Sequence, residues 1–255
     1  MLPEQRRRKI LELIQEHGSA KVAELKDLFS VTEPTIRQDL FKLEEEGHVV
    51  RQYGGAYLKN IPNQVKSMSL HNSLNMDKKA RIAAKALEYI EDGDSIILDA
   101  GTTITEMAKR MVNFTNLNVI TSALNIALTL GQRFNIHVML TGGEFKPPTL
   151  SVTGEQAAKF FDNTIVAGKF FLSTYGITDD GVITYPGLSD IPLRKAMIGA
   201  AQEVYLVADS TKIGRVSLAA LGGIETVQHL ITDPGIDKRH VDMFKARGVN
   251  VIVSD

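Results

Sequence analysis

Short apolar runs alternate with amphipathic segments over the C-terminal part of the chain, from residue 95 onward. In the amphipathic segments apolar residues recur at helical spacing, whereas the short runs have the length and composition of buried strands. This alternation is typical of βαβ units, in which crossover helices join parallel strands, so we predict an α/β fold with a mostly parallel sheet. The predicted strands are Ser95–Asp99, Asn118–Thr121, Ile136–Leu140, Ile165–Leu172, Glu203–Ala208, Gln228–Thr232 and Asn250–Val253. The predicted helices are Thr103–Met111, Ala123–Gly131, Gly154–Phe161, Asp190–Ala201 and Lys238–Arg247.

The composition narrows the classes of protein to which the chain can belong. Of its 255 residues, 44% are hydrophobic, which is enough for a sizeable core, and none is cysteine. The lack of cysteine excludes disulfides and thiolate metal sites, and it fits a reducing compartment. Because there is no apolar run of about 18 residues and no signal peptide, we expect a cytoplasmic protein without membrane contact. The six histidines have no ligand-like spacing, so we expect neither a metal nor a cofactor.

Residues 1–57 have the pattern of a small separate domain. Two amphipathic helices are predicted in its first half, and the second of them opens at Ser19–Lys21. A third helix begins at Thr32, a good N-cap residue, and turns its apolar side chains inward. Val49–Tyr57 is expected to form two short strands about a turn. Three helices followed by such a wing predict a winged helix-turn-helix domain, whose third helix would lie in the major groove of DNA.

The outward face of the third helix carries the side chains that would read DNA. Thr35 can bind a phosphate or a base, Arg37 suits guanine or phosphate, and Gln38 can pair with adenine. Arg51 and the Gly54–Gly55 turn of the wing would approach the DNA backbone. The candidate DNA-binding residues are Arg6, Thr32, Thr35, Arg37, Gln38, Arg51, Tyr53, Gly54 and Gly55.

A dimerisation or docking module is the alternative interpretation of this domain, because residues 1–60 hold ten basic and ten acidic side chains. The distribution of these charges favours DNA binding. The acidic residues cluster at the far end of the third helix, whereas the basic ones lie at the amino end, on the recognition face and in the wing. Since the formal net charge of the whole chain is −1, any basic surface must be local.

Several segments of this domain follow one pattern: Arg6–Ile10, Val22–Leu25, Val31–Leu40, Leu43–Glu44, Gly47 and Arg51–Ala56. In these segments the domain resembles the DNA-binding domain of the DeoR family of bacterial transcriptional regulators. The resemblance implies sequence-specific binding to double-stranded DNA. One departure is Gln38, since the family usually has a second arginine there; we expect this change to alter the operator sequence and not the mode of docking.

Five turns that follow predicted strands are rich in small, hydrogen-bonding residues. They lie beyond a polar segment, residues 58–76, which we predict to be a linker, and beyond a helix that Asp77 would cap. Because the carboxyl ends of parallel strands lie at one edge of a sheet, these turns should converge on one crevice. The turns are Asp99–Thr103, Thr121–Ala123, Thr141–Gly143, Ser173–Gly176 and Asp209–Lys212.

Such a crevice suits a phosphorylated polyol. Backbone N–H groups at the start of the helix after Gly101, together with Lys212, would hold a phosphate, and Asp99 would take sugar hydroxyls. The alternative for the first turn is an ordinary strand-to-helix connection with Thr102 as the N-cap residue.

The family pattern continues over residues 78–233, in Asp99–Thr103, Thr121–Ala127, Gly142–Gly143, Lys169, Phe171, Gly176–Ile177, Gly181, Ala208–Ser210, Lys212 and Thr232–Asp233. These segments resemble the DeoR-family sensor domain, which is related to ribose-5-phosphate isomerase. The resemblance implies a sensor for a phosphorylated sugar or sugar derivative. The candidate effector-binding residues are Asp99, Gly101, Thr102, Thr103, Ser122, Gly142, Gly143, Tyr175, Arg194 and Lys212.

Four positions depart from the usual sensor pattern. Gly168 stands where aspartate is common, Asp190 where glutamate is usual and Arg194 where lysine is usual. Tyr175 brings a phenol to a turn that is otherwise made of small residues. We interpret these departures as a change of ligand, with Tyr175 and Arg194 selecting an unusual or more acidic effector.

The resemblance to the family implies a repressor of a carbohydrate-utilisation operon. We predict a DNA-binding domain over 1–57, a linker over 58–76 and an effector-binding and oligomerisation domain over 77–255. We expect a homodimer or homotetramer, so that two recognition helices reach neighbouring half-sites. The alternative is a sugar-phosphate isomerase with a DNA-binding appendage. Its catalytic base would be one of the carboxylates Asp99, Asp179, Asp180 and Asp190.

Overall fold

The computed structural model describes residues 2–17, 19–52, 54–58, 75–162 and 165–255, without the side chains of residues 15–17, 52, 58 and 148. The chain divides into two compact units, Met1–Leu74 and Asn75–Asp255. Most of the predicted linker, residues 59–74, lies outside the described residues. None of the helices in the described ranges is long and apolar enough to cross a membrane.

In the described part of the N-terminal unit, three helices combine with a small antiparallel sheet in the order β1-β3-β2. This is the predicted winged helix-turn-helix architecture. Nine buried apolar residues from the helices and the sheet form its core, among them Ile10, Ile36 and Leu40. The elements are α1 (Pro3–His17), β1 (Ser19–Lys21), α2 (Val22–Phe29), α3 (Glu33–Glu45), β2 (Val49–Gln52) and β3 (Gly55–Leu58).

The prediction that Ser19–Lys21 opens the second helix is wrong. These residues form β1, which pairs with Gly55–Tyr57 in an antiparallel register. The backbone N–H of Val22 then donates to the carbonyl oxygen of Gly54 at 2.8 Å, and α2 begins at Val22. Long-range pairing with the wing decides the conformation of this segment, because its own residues have no strong preference for either structure.

The C-terminal unit contains a seven-stranded parallel sheet flanked by helices, as predicted. The strands are β4 (Ser95–Leu98), β5 (Leu117–Thr121), β6 (Ile136–Leu140), β9 (Ala167–Ser173), β12 (Ala201–Val207), β14 (His229–Thr232) and β15 (Asn250–Val253). The helices are α4 (Met76–Leu87), α5 (Thr102–Arg110), α6 (Leu124–Leu130), α7 (Glu155–Lys159), α8 (Ile191–Gly199) and α9 (Lys238–Ala246).

The strand order is β6-β5-β4-β9-β12-β14-β15. The chain builds the sheet outward from β4 to β6, returns to the centre at β9, and then builds outward in the opposite direction. This reversal makes a topological switch point between β4 and β9, which are adjacent and pair Leu98 with Phe171. In open α/β sheets, ligands bind outside the carboxyl ends of the strands at such a point.

Both faces of the sheet are buried. Ile97 of β4 belongs to one apolar cluster, which also contains Phe170, whereas Ile96 and Leu98 belong to a second cluster on the other face. α4 and α5 pack against this second face, since Ile82 and Ile104 lie in the same cluster as Leu98. Two-sided burial explains why these strands appear in the sequence as continuous apolar runs.

Two antiparallel elements of the C-terminal unit escaped the sequence analysis. One is a hairpin of β7 (Glu144–Lys146) and β8 (Ser151–Thr153), joined by a 3-10 turn at Pro147–Thr149. The other is a sheet of β10 (Gly176–Ile177), β11 (Val182–Tyr185) and β13 (Ala219–Gly223). Strands of two to five residues are too short to show a period.

The predicted helix Asp190–Ala201 is also longer than the one observed. Asp190 ends a short 3-10 turn, α8 covers Ile191–Gly199, and Ala201 already belongs to β12, where it pairs with Ala167. Sequence periodicity does not resolve this direct change from helix to strand, because a single residue, Ala200, separates the two elements.

Gly55 provides a test of the pairing that holds the wing. A Cβ atom at Gly55 would lie 2.4 Å from the carbonyl oxygen of Ala20, so Gly55→Ala should separate β1 from β3 at a cost of about 2 kcal/mol. Hydrogen–deuterium exchange of the amides in β1 and β3 should accelerate. Gly54→Ala is the control, because a Cβ atom at this position would have no atom within 4 Å. Its cost, about 1 kcal/mol, comes only from placing an alanine at a φ of +89°. Equal exchange in the two variants would contradict this account.

Candidate DNA-reading surface and effector site

The N-terminal half of α3 presents most of the predicted base-reading side chains. Thr32, Arg37 and Gln38 are exposed and Thr35 is half-buried. The hydroxyl groups of Thr32 and Thr35 lie 2.9 Å apart, and Thr32 is the N-cap residue without a hydrogen bond from its side chain to the backbone. These four side chains therefore share the surface that a helix-turn-helix places against base edges.

Acidic residues accompany the basic ones on this unit. Arg37 donates to Glu33 at 3.0 Å, and Lys26 lies 3.6 Å from the same carboxylate. In the wing, Arg51 donates to Glu44 through its Nε atom at 2.7 Å. DNA phosphates would have to replace these carboxylates, so the local positive charge available to DNA is smaller than the count of basic residues indicates.

The wing glycines have different surroundings. Gly54 is exposed at the turn, whereas Gly55 is held against β1 by its pairing with Lys21. Gly55 is therefore required by packing within the unit. Tyr53, the remaining candidate of the wing, lies outside the described residues.

The structure contradicts the assignment of Arg6 to the DNA-contacting surface. Its side chain is 9% exposed, and its Nε atom donates to Asp39 of α3 at 2.6 Å. The side chain of Asp39 is also buried, at 4% exposure, and Arg7 lies 3.8 Å away. Arg6 fixes α1 against α3 and has no route to a phosphate.

Loss of Arg6 should destabilise the N-terminal unit. Arg6→Met leaves the buried carboxylate of Asp39 with only the distant Arg7, and we expect a cost of about 3 kcal/mol, measured by calorimetric unfolding of the full chain. Arg8→Met is the control, because Arg8 is 75% exposed and its pair with Glu12 contributes little. If the two variants unfold alike, Arg6 has no structural role of this kind.

Asp99 occupies the switch point of the parallel sheet. It follows β4 and is 1% exposed. Its Oδ2 atom accepts hydrogen bonds from the backbone N–H of Ser173 at 3.1 Å, from the Ser173 hydroxyl at 2.8 Å and from Nε of Arg194 at 3.1 Å. Asp99 thereby joins the turns after β4 and β9 to α8.

Arg194 connects Asp99 to further buried charged residues. Its guanidinium lies 4.2 Å above the ring of Tyr185 and 3.6 Å from Asp190, and Asp190 accepts from Lys146 of the β7–β8 hairpin at 2.8 Å. Burial lowers the pKa of Arg194, but the nearby charges of Asp99 and Asp190 more than offset this effect and raise it.

The first turn of α5 lies beside this network. Gly101 precedes the helix with φ +154°, and a Cβ atom there would lie 2.8 Å from the Ser173 hydroxyl. Gly101 is the N-cap residue, so the alternative in which Thr102 caps the helix is wrong; Thr102 and Thr103 are its first two residues. The backbone N–H groups of this turn and the helix dipole suit an anion.

The turns after β5 and β6 lie at the same edge of the sheet. Ser122 is 2% exposed, and its carbonyl oxygen accepts from the N–H of Val152 in the β7–β8 hairpin at 2.8 Å. Gly142 and Gly143 are exposed. A Cβ atom at Gly143 would lie 2.8 Å from that of Ala157 in α7. These three candidates lie outside the Asp99–Arg194 network.

Tyr175 and Lys212 form a second polar group at this edge. The Tyr175 hydroxyl accepts from Arg215 at 2.6 Å, and the Arg215 guanidinium lies 4.0 Å above the ring. The ammonium of Lys212 is 5.5 Å from the centre of the same ring. Burial lowers the pKa of Lys212, although Asp209 opposes this effect.

Four of these residues were not predicted as site residues: Lys146, Ser173, Tyr185 and Arg215. Arg215 and Lys146 lie in or next to loops, where no periodic pattern marks them. Lys79 of α4, which was not predicted either, is 4% exposed, and burial lowers its pKa to about 8. Its position was readable from the sequence, because Lys79 shares the helical spacing of the buried residues Ile82, Ala83 and Ala86.

Among the described residues, no group of three His, Cys, Asp or Glu side chains could hold a metal ion. A surface hollow lies at the opposite end of α5 and is lined by Lys109, Leu128, Thr129, Gln132 and Arg133. It is separate from the strand-end network, since Lys109 lies in the last turn of α5.

A helix-turn-helix unit followed by an α/β unit with a polar strand-end site defines a DNA-binding regulator that carries a ligand-sensing domain. Residues 6–61 match the DeoR-like helix-turn-helix domain, and residues 74–234 match the DeoR C-terminal sensor domain. The chain belongs to the DeoR family of transcriptional regulators, which confirms the resemblance inferred from its sequence.

Relatives of known name support this assignment. The chain is 37% identical over 260 residues to the uncharacterized regulator YulB of Bacillus subtilis, covering 98% of this chain and 96% of the relative. It is 31% identical over 255 residues to the regulator GolR of Listeria innocua, covering 100% of each chain. It is 32% identical over 231 residues to the glycerol-3-phosphate regulon repressor of Escherichia coli, covering 90% of each. Among solved structures, ribose 5-phosphate isomerase A of Neisseria gonorrhoeae aligns with a TM-score of 0.38 at 15% identity, covering 55% of this chain and 53% of that chain.

Proposed function

We propose that the chain represses a carbohydrate-utilisation operon and that a phosphorylated sugar or sugar derivative controls its affinity for the operator. The effector would bind outside the carboxyl ends of β4, β9 and β12. The glycerol-3-phosphate regulon repressor is a relative over 90% of its length, which supports an effector of this chemical class. The observation that carries the proposal is the joining of Asp99, Ser173 and Arg194 at the switch point, beside the first turn of α5.

Each part of the site has a distinct role in this proposal. The first turn of α5 and Lys212 attract the phosphate, whereas the carboxylates of Asp99 and Asp190 accept hydrogen bonds from sugar hydroxyls. Arg194 holds both carboxylates in place. Because these groups come from β4, α5, α8 and the turn after β12, a bound ligand would connect elements that are far apart in the sequence.

An isomerase function is less favoured by the surroundings of the carboxylates. A general base must be within reach of the proton that it removes. Asp99 and Asp190 are both paired with Arg194, and Asp190 also with Lys146. Asp179 is exposed and pairs with His240, and a hydrogen bond from Thr178 lowers the pKa of Asp180. Each of the four carboxylates is thus already engaged by a neighbouring group.

Regulation requires that the effector favour one of two states of the protein, because a ligand with equal affinity for both states shifts nothing. We propose that the repressor is a homodimer or homotetramer assembled through the C-terminal unit, with two α3 helices on half-sites one DNA turn apart. The effector would change the equilibrium between geometries that fit and do not fit this spacing.

Operator titrations should reveal this control. The operator is first selected from the DNA upstream of the gene, and its affinity for the full chain is measured with and without a panel of sugar phosphates. One member should change the affinity about 5- to 150-fold, which corresponds to a coupling of about 1–3 kcal/mol. The matching unphosphorylated sugars are the control. Unchanged affinity across the whole panel would refute control by a phosphorylated sugar.

Tyr175 should influence which effector is preferred. Tyr175→Ser removes the ring on which Arg215 stacks. For at least one pair of panel members, the ratio of their effects on operator affinity should therefore change about fivefold. Tyr175→Phe keeps the ring and loses only the hydroxyl, and it should stay closer to the wild type. The same ranking in Tyr175→Ser as in the wild type would exclude a role for Tyr175 in selectivity.

A further inference from the structure

The outer side of α6 is apolar. Ile126 and Leu130 lie on its inner side and are fully buried in the apolar cluster beneath the helix. Leu124 and Leu128, which are four residues apart on the opposite side, are 38% and 62% exposed. A surface helix normally turns polar or charged side chains to water, so a stripe of exposed leucines indicates that another molecule covers it.

The same helix carries no charge, which restricts the kind of molecule that can cover it. Leu124–Leu130 contains no Asp, Glu, Lys or Arg, whereas every other α-helix in the described ranges contains at least two. An uncharged helix has no electrostatic attraction for nucleic acid, an acidic peptide or an anionic lipid surface. It can face a second copy of itself, because no like charges then oppose each other across a twofold axis.

The β7–β8 hairpin continues this apolar surface. The N–H of Leu124 donates to the carbonyl oxygen of Leu150 at 2.7 Å, so the end of the hairpin turn lies beside the first residue of α6. Phe145 pairs with Val152 across the hairpin, and residues that pair in this way point to the same face. Phe145 is 47% and Leu150 41% exposed. We call Leu124, Leu128, Phe145 and Leu150 together the α6–hairpin face.

The opposite face of the hairpin is bonded to the rest of the unit. Ser151 and Thr153 are buried there, and the Thr153 hydroxyl donates to the carbonyl oxygen of Ser189 at 2.5 Å. Lys146, which pairs with Ser151, donates to both carboxylate oxygens of Asp190 at 2.8 Å. The α6–hairpin face therefore rests on a backbone that is already fixed, which lowers the entropic cost of association.

We propose that the α6–hairpin face is an interface between two copies of the chain, related by a twofold axis that sets α6 against α6. This rests on the proposed function, which requires an oligomer assembled through the C-terminal unit. A twofold contact buries each of the four apolar side chains in both copies, which gives the apolar centre that is typical of homodimer interfaces. Because Lys146 joins the same hairpin to Asp190, the interface is connected to the effector site of each copy.

Sedimentation equilibrium of the full chain tests this interface. Leu128→Glu should raise the dissociation constant of the oligomer at least about tenfold, because two carboxylates then lie close together at the axis, and Leu128→Lys should do the same with two ammonium groups. An equimolar mixture of the two variants should recover association, since opposite charges then meet. Val253→Glu is the matched control. Val253 is 41% exposed in β15, at the other edge of the sheet from β6, and this variant should associate as the wild type does.

A second variant tests the hairpin part of the same face. Phe145→Ser removes an exposed ring without adding a charge, and it should weaken association about tenfold. Three results would overturn the proposal: a wild-type chain that is monomeric at tens of micromolar, Leu128 and Phe145 variants that associate as the Val253→Glu control does, or a mixture of Leu128→Glu and Leu128→Lys that stays as dissociated as each variant alone.

The operator titrations separate this interface from the proposed function. If the Leu128 variants dissociate and their mixture recovers, while no sugar phosphate changes the operator affinity of the wild type, the interface stands and the proposed control of repression fails. If a sugar phosphate changes the operator affinity while Leu128→Glu stays associated, the control stands and the α6–hairpin face is not the interface.

Discussion

The hydrogen bonds that the carboxylate of Asp99 accepts hold together the polar network at the carboxyl ends of the strands. This carboxylate accepts hydrogen bonds from Ser173 and Arg194, and it thereby holds together the end of β4, the end of β9 and α8. A buried carboxylate is stable only when its charge is matched, and a buried guanidinium has the same requirement. Arg194 pairs with both Asp99 and Asp190, and Asp190 also pairs with Lys146. These buried ion pairs lie at the topological switch point of the sheet.

Most of the fold could be predicted from the sequence, because parallel strands that are buried on both faces appear as continuous apolar runs. The order of the strands could not be predicted. That order makes β4 and β9 neighbours and brings Asp99 to Ser173. Lys146 pairs with Asp190 across 44 residues, and Arg215 pairs with Tyr175 across 40. Such pairs arise from tertiary structure and leave no local signal. For the same reason the sequence did not show that Arg6 is buried, since its partner Asp39 is 33 residues away.

In contrast, the position of Lys79 on the buried face of its helix could be predicted from the sequence. Helical spacing sets it on the buried face of α4 with Ile82 and Ala86. A lysine in such a row is commonly an amphipathic side chain whose charged end reaches water. In this protein the whole residue is 4% exposed, and burial lowers the pKa of its side chain to about 8. Burial of this kind comes from tertiary packing, which the helical spacing alone does not show.

The carboxylates of Glu33 and Glu44 have a consequence for how the protein finds its target. Because Arg37 and Arg51 already have acidic partners, random duplex DNA gains little by attracting them. Binding to DNA of unrelated sequence should therefore be weak. Stronger binding would need contacts with base edges, and not charge alone, to offset the separation of these pairs.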